Sequence, residues 1–344
     1  MWLEKKQYGQ LDFLNMEYVV RSRRDPSKLL LNAQSMIVLG VNYGPDTTTK
    51  QPCLKNDARI AAYAQYEDYH KIIKSKAIEL MTLINNQRLE NAKYRIFIDS
   101  GPVMEKDFAY SAGMGWIGKQ SLLIHPRYGS FTHLCCIITD EKFDHSPCVY
   151  EDLCGDCQMC VQACPAGCIS EDHTINASRC ISYLTIEHRG IIPRDMRSKI
   201  GNWIFGCDIC QDVCPHNKHV SISQSNIFFG YPKKFDQNLD LLVEFGISKK
   251  DYSEKYIATP IRRMPYDQYL RNLIIAAGNS REKRYVEILT KILLNGAENL
   301  RVHAIWALGE IAHDDCLKIL QVQFDGESSQ LVKNEILYTL NKLT

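Results

Sequence analysis

Cys154-Gly-Asp-Cys157-Gln-Met-Cys160-Val-Gln-Ala-Cys164-Pro165 is the stretch on which the reading of the whole chain turns. Its spacing, C-x2-C-x2-C-x3-C-P, is the bacterial ferredoxin run for a 4Fe–4S cluster. A second set follows at Cys180 and in Cys207-Asp-Ile-Cys210-Gln-Asp-Val-Cys214-Pro215. Together the two sets hold eight thiols, as many as two 4Fe–4S clusters require. Three thiolates two residues apart on a tight loop each reach a different iron of one cubane. The fourth, before a proline, opens a helix, points the other way and ligates the other cluster. The first cluster is therefore assigned Cys154, Cys157, Cys160 and Cys214, and the second Cys207, Cys210, Cys164 and Cys180. A standard second motif would place a cysteine where Ile204 stands, and Cys180 is the nearest unassigned thiol to replace it.

Competing uses of the thiols fit less well. Zinc needs four ligands and no x3-C-P ending. Disulfides are disfavoured without a secretory signal. No C-x-x-C-H occurs for haem attachment. The other six cysteines (Cys53, Cys135, Cys136, Cys148, Cys168 and Cys316) lack ligand spacing and read as packing residues. Of these, Cys148 and Cys168 are candidate neighbours of the clusters.

The 344 residues suffice for two or three domains and a sizeable core. Apolar residues at 45% and charged residues at 24% are ordinary for a globular protein. A net charge of +1 provides no global basic field, so any nucleic-acid contact must come from a local patch. No apolar run approaches the roughly 20 residues of a membrane span. The start, Met-Trp-Leu-Glu-Lys-Lys, is neither a secretory nor a twin-arginine leader, so a cytoplasmic protein without membrane contact is expected.

Along the chain, 35–43 reads as a buried strand and 44–55 as a polar loop. The apolar spacing from 57 to 87 predicts a helix whose buried face includes Ile60, Tyr63, Ile73, Ala77, Met81 and Ile84. Tyr94-Arg-Ile-Phe-Ile-Asp99 reads as a strand ending in an acid, followed by a Ser-Gly-Pro turn and a short helix over 105–113. Two further strands, 121–125 and 131–139, flank a turn at 126–129. This mixture predicts an α+β domain over 1–146, then a two-cluster ferredoxin-like domain over 147–225. Gly113-x-Gly115-x-x-Gly118 matches a dinucleotide fingerprint only formally, because it follows a helix and leads into a strand. Those glycines are expected to let backbone lie close to a flat ligand.

A linker and helical region fills 226–344. Arg271-Asn-Leu-Ile-Ile-Ala-Ala-Gly-Asn and Arg301-Val-His-Ala-Ile-Trp-Ala-Leu-Gly-Glu-Ile-Ala are similar about 30 residues apart, as in HEAT-like helix pairs. Between 262 and 301 eight basic residues face four acidic ones. Arg262, Arg263, Arg271, Arg281, Lys283, Arg284 and Arg301, extended by Arg189, Arg194 and Arg197, form a candidate phosphate track. The plainer reading is a solvated charged face.

The order of motifs resembles the epoxyqueuosine reductases, bacterial enzymes that complete the queuosine base in tRNA. The resemblance rests on Arg24-Asp-Pro-Ser-Lys-Leu-Leu-Leu, Asp68-Tyr-His70, Asp99-Ser-Gly-Pro and Ala112-Gly-Met-Gly-Trp-Ile-Gly-Lys119. It continues through Leu122-Leu-Ile-His-Pro-Arg-Tyr-Gly-Ser130, both cluster motifs and Ile200-Gly-Asn-Trp-Ile-Phe-Gly-Cys207. Tyr66 departs from the family pattern, which has glycine there.

The resemblance implies a nitroreductase-like cobalamin-binding domain, base-off cobalamin, two 4Fe–4S clusters fed by an external electron donor, and a tRNA substrate. It also implies a monomer. It makes Asp99 the proton donor, in a desolvated site, with Glu105 as the second choice. Arg24, Asp99, Lys119, Gln120, Leu123, Leu134, Ser182, Cys207 and Asp208 match its cobalamin-side positions. Asp68 and His70 are a candidate substrate-side pair or a helix-surface pair. Two other readings remain: an iron–sulfur electron-transfer protein without a corrin, and a cobalamin enzyme like the reductive dehalogenases.

Overall fold

The computed structural model describes residues 2–44, 57–87, 91–144, 150–218, 234 and 238–343. All but the first residue of the expected polar loop over 44–55, the readings of Cys53 and Cys148, and most of the linker that opens the 226–344 region lie outside them. Two compact units divide the chain: 1–50, 66–178 and 208–234 form the first, and 51–65, 179–207 and 235–344 the second. This differs from the sequence-order boundaries at 146/147 and 225/226, because the cysteine-rich segment contributes to both units.

In the first unit, strands Ser35–Asn42, Thr132–Thr139 and Tyr94–Phe97 form an antiparallel sheet with Thr132–Thr139 in the middle. Ser35 and Tyr94 both pair with Thr139, so the flanking strands are aligned at that end. The middle strand carries Cys135, Cys136 and Ile137, which are fully buried. Such a near-continuous apolar run belongs to a strand covered on both faces. Phe97, Cys136 and Ile138 pack with Leu29 and Val103 into one core cluster. Helix Tyr69–Asn85 turns Tyr69, Ile73, Ala77 and Met81 inward, a spacing of four that keeps them on one face. The strand expected over 121–125 is shorter: Leu123–Ile124 pairs with Trp116–Ile117 in a separate small hairpin.

The helix predicted over 57–87 is a correction. Asp57–Ile60 is a strand of the second unit, and the helix begins only at Tyr69. This strand lies between Trp203–Phe205, parallel to it, and Asn238–Asp240, antiparallel. Ala58 and Ile60 are fully enclosed, while the Arg59 guanidinium lies 4.0 Å over the Trp203 ring. Pairing partners nearly 150 and 180 residues away decided this conformation against a local spacing that also fits a helix.

The rest of the second unit is helical. Helix Glu298–Ile311 packs against Tyr266–Ser280, Val286–Asn295 and Gln330–Leu343. It is apolar almost all round, as a helix enclosed by neighbours must be. Glycines allow two of these approaches. A Cβ on Gly278 would meet Ala307 Cα at 2.8 Å, and one on Gly309 would collide with Thr339. Among the described residues no helix is long and apolar enough to cross a membrane.

Candidate active site and cluster loops

Asp99 stands two residues beyond strand Tyr94–Phe97, with φ at +51°. Aspartate tolerates this left-handed conformation better than most side chains, and such positions concentrate at functional sites. The chain then turns sharply: a Cβ on Gly101 would run into the Phe97 ring. The acid therefore sits at the end of a rigid element and before an enforced turn.

Its partner comes from the helix Tyr69–Asn85. Asp68 caps that helix, its carboxylate accepting from the His70 backbone N–H at 3.1 Å and contacting His70 Nδ1 at 2.8 Å. With both neighbours committed to the cap, Tyr69 turns inward and its hydroxyl donates to Asp99 Oδ2. The Tyr69 ring stacks on His133, with centroids 3.7 Å apart and planes 12° from parallel. Tyr43 approaches the same imidazole at 4.3 Å. Burial holds His133 neutral, its pKa pushed down to about 3. Nearby, burial raises the Glu105 carboxyl and lowers the Lys106 ammonium, and both feel Asp99 and Arg23.

The first four cluster thiols lie in this unit. Burial raises Cys214, and Cys154, Cys160 and Cys157 push it the same way. Burial raises Cys154 and Cys160 as well, while the backbone amides of Lys119 beside Cys154, of Cys160 and Val161 beside Cys160, and of His216 beside Cys214 favour the thiolate forms. Thiols whose ionised form neighbouring amides favour fit a thiolate-bound cluster. Among the described residues no three His, Cys, Asp or Glu side chains are placed to hold a single metal ion. Trp116, 1% exposed, packs with Ile124, Cys214 and Cys154.

Of the second set, Cys164 and Cys210 belong to the first unit, and Cys180 and Cys207 to the second. Cys164 contacts Cys168 at 3.5 Å between sulfurs. Hydrogen bonding with the Cys168 side chain and with backbone lowers the Cys164 thiol from its ordinary value. Cys180 is the N-cap of helix Ile181–Ile186. Ile204, where the standard motif would have cysteine, lies in strand Trp203–Phe205 with 1% exposure. That position belongs to the core.

Residues 23–100 match the family model described as Epoxyqueuosine reductase QueG, DUF1730, and 153–217 match that of a 4Fe-4S double cluster binding domain. The epoxyqueuosine reductase of Aliivibrio fischeri is 37% identical over 310 residues, 89% of this chain and 82% of that protein. The Escherichia coli epoxyqueuosine reductase is 33% identical over 326 residues, 94% of this chain and 84% of that one. The chain belongs to the epoxyqueuosine reductase family.

Its mixed α+β fold also matches solved members. A crystal structure of epoxyqueuosine reductase with an epoxyqueuosine-modified tRNA-Tyr stem loop gives a TM-score of 0.85 at 26% identity, covering 99% of this chain and 89% of that one. The Streptococcus thermophilus epoxyqueuosine reductase gives 0.83 at 27% identity, covering 99% and 90%.

The residues expected on the cobalamin side lie in different settings. The Lys119 ammonium donates to the carbonyls of Gly155 at 2.7 Å and Cys157 at 3.0 Å, so the side chain is engaged with the cluster loop. Leu123 and Leu134 pack with Ala109 in the core. In the glycine loop, Gly115 adopts positive φ and a Cβ there would collide with the Ile124 backbone of its own hairpin. Asp99 is exposed rather than desolvated. Arg24 is exposed at the end of helix Glu17–Arg24, Gln120 and Asp208 are buried, and Ser182 and Cys207 are half-buried. Cys135, Cys136 and Cys316 are fully buried. Asp68 and His70 form a helix-cap pair.

Two arginines leave the candidate phosphate track. Arg197 is buried and bonds Glu335 at 2.7 Å and the Ile192 carbonyl at 3.0 Å. Arg271, 1% exposed, donates to the carbonyls of Leu184, His188 and Gly190, and burial lowers its pKa to about 9. Neither guanidinium can reach a phosphate. Arg301 is half-buried and paired with Glu327, and Arg194 bonds Glu335 while lying 3.6 Å over the Tyr338 ring. Arg189, Arg262, Arg263, Arg281, Lys283 and Arg284 are exposed.

Tyr69 is the residue the sequence reading passed over. Its signal was present: Tyr69, Ile73, Ala77 and Met81 repeat every four residues, which marks Tyr69 as inward-facing while Asp68 caps.

Proposed function

We propose that the chain reduces epoxyqueuosine to queuosine at the wobble position of tRNA, with cobalamin and two 4Fe–4S clusters as cofactors and Asp99 as the proton donor. Membership of the family supports the reaction. The observation that carries the residue assignment is Asp99, held at positive φ on a strand end with Tyr69 on one oxygen. The Bacillus subtilis epoxyqueuosine reductase, 26% identical over 94% of this chain with a TM-score of 0.82, was solved with an aspartate-bearing catalytic loop swung out of the active site. An exposed Asp99 on a turn is consistent with a loop of that kind.

Opening an epoxide and forming the alkene takes two electrons and two protons and releases water. Cobalamin supplies, when bound, a strongly reducing metal centre for the carbon–oxygen bond. Asp99 delivers a proton to the epoxide oxygen as that bond breaks. Because the Tyr69 hydroxyl donates to Oδ2, Oδ1 is the oxygen left to carry the proton. Gln120 Nε2, Arg23 Nε and Glu105 Oε1, buried polar atoms without a hydrogen-bond partner among the described residues, suit the amide-bearing rim of a corrin. Cys154, Cys157, Cys160 and Cys214 would hold one cluster, and Cys164, Cys180, Cys207 and Cys210 are, by their sequence spacing, the thiols for the other; the clusters would supply single electrons from an external donor. The exposed arginines of the helical C-terminal region, read as HEAT-like pairs, contact the tRNA backbone.

The test is anaerobic cluster reconstitution with cobalamin, then an assay on tRNA containing epoxyqueuosine, read by nucleoside mass spectrometry. Loss of one oxygen mass that depends on both cofactors is expected. Full cluster content with no corrin retained and no oxygen lost would favour an electron-transfer protein instead.

A further inference from the structure

We propose that Lys119 tunes the first cluster: its buried ammonium holds the Cys154–Cys157 loop closed and raises that cluster's reduction potential. The proposal rests on the assignment of Cys154, Cys157, Cys160 and Cys214 to one cluster. Lys119 is 8% exposed, and both oxygens it addresses, on Gly155 at 2.7 Å and Cys157 at 3.0 Å, are neutral carbonyls of the ligand loop. Among the described residues no carboxylate pairs with it. The ammonium therefore grips the loop at two points, the carbonyls on either side of Asp156.

The loop is shaped for this grip. Gly155 adopts φ +48°, yet a Cβ there would meet nothing within 4 Å. The glycine is therefore needed for the backbone turn and not for space. The Cys157 N–H closes the turn onto the Cys154 carbonyl at 2.9 Å.

A buried ammonium without a counter-charge is costly. Four thiolates on an iron–sulfur core supply that counter-charge. The cluster gains one negative charge on reduction, so a cation fixed beside it stabilises the reduced form more than the oxidised form. The sign follows: removing the charge lowers the potential.

Three variants separate the two roles. Lys119→Gln retains a hydrogen-bond donor without the charge, Lys119→Met removes both, and Lys119→Arg keeps the charge. Each is reconstituted anaerobically, assayed for iron and sulfide, and titrated potentiometrically with electron paramagnetic resonance detection. In Lys119→Gln, one of the two midpoint potentials is expected to move lower while the other stays, and Lys119→Arg is expected to stay near the wild type. Lys119→Met is expected to lose iron to a chelator several-fold faster than Lys119→Gln. Unchanged potentials in Lys119→Gln at full iron content would overturn the electrostatic role, and equal chelator rates would overturn the clamp. Should Cys154→Ser retain the full wild-type iron, the ligand assignment fails, which is a result distinct from either.

Discussion

The Tyr69 hydroxyl donates a hydrogen bond to Oδ2 of Asp99, a residue 30 positions further along the chain. Strand Tyr94–Phe97 and helix Tyr69–Asn85 each deliver one partner, and stacking on His133 fixes the tyrosine ring. A hydrogen bond to a charged group contributes about 1.5–3 kcal/mol. Tyr69→Phe is therefore expected to lower kcat by roughly 10- to 100-fold with less change in KM. Asp99→Asn should cost about 10²–10⁴. Combining the two should cost little more than Asp99→Asn alone, because both act through one carboxyl. Single-turnover rates on modified tRNA check this, and full additivity would contradict it.

The arginines divide by burial into two groups with opposite phenotypes. Arg262→Gln, on an exposed residue, should weaken tRNA binding and reduce the salt slope by about 0.7–0.9 while leaving stability unchanged. Arg271→Gln should instead destabilise the fold by about 3 kcal/mol, because the carbonyls of Leu184, His188 and Gly190 lose their donor. Filter binding at several salt concentrations, beside denaturant melts, separates the groups.

Helix packing through glycine makes a third expectation. Gly278→Ala places a methyl 2.8 Å from both Ala307 Cα and the Trp306 ring, and the overpacking should cost about 1–3 kcal/mol. Gly309→Ala meets Thr339 Cγ2, a side-chain atom that can be removed. Thr339→Ala should therefore rescue part of the loss at Gly309, and no substitution at Thr339 should rescue Gly278→Ala. Thermal melts of the single and double variants decide it.

His303 ties stability to pH. Its Nδ1 bonds the Asn299 carbonyl at 2.7 Å and its Nε2 accepts from the Ile192 N–H at 3.1 Å, so only the neutral ring fits. Burial, then the positive charges of Arg197 and Arg271, hold its pKa well below 6.5. With the folded value depressed, the unfolded chain binds the extra proton first. Stability is then expected to be full above pH 6.5 and to decline steadily below it. His133, depressed to about 3 by burial, adds a second contribution of the same sign over the interval from 6.5 to 3. Denaturant midpoints measured from pH 7.5 to 4.5 should fall, and the slope should be shallower in His303→Gln.

Local order in the sequence determined a great deal. Cysteine spacing alone specifies two cluster motifs, because ligand reach on a tight loop depends on positions two and three residues apart. A near-continuous apolar run likewise marks strand Thr132–Thr139, and a period-four pattern the buried face of helix Tyr69–Asn85. Asp99 was legible as an acid ending a strand. Only the tertiary structure decided what contact and burial over long separations impose. It made Asp57–Ile60 a strand through partners far along the chain, turned Tyr69 rather than Asp68 or His70 onto Asp99, and sent Lys119 to the carbonyls of the cluster loop. It also buried Arg197 and Arg271 while Arg262 and Arg263 stayed exposed. A charged side chain reads the same in any sequence window, and its role follows from which carbonyls or carboxylates the fold brings within reach of it.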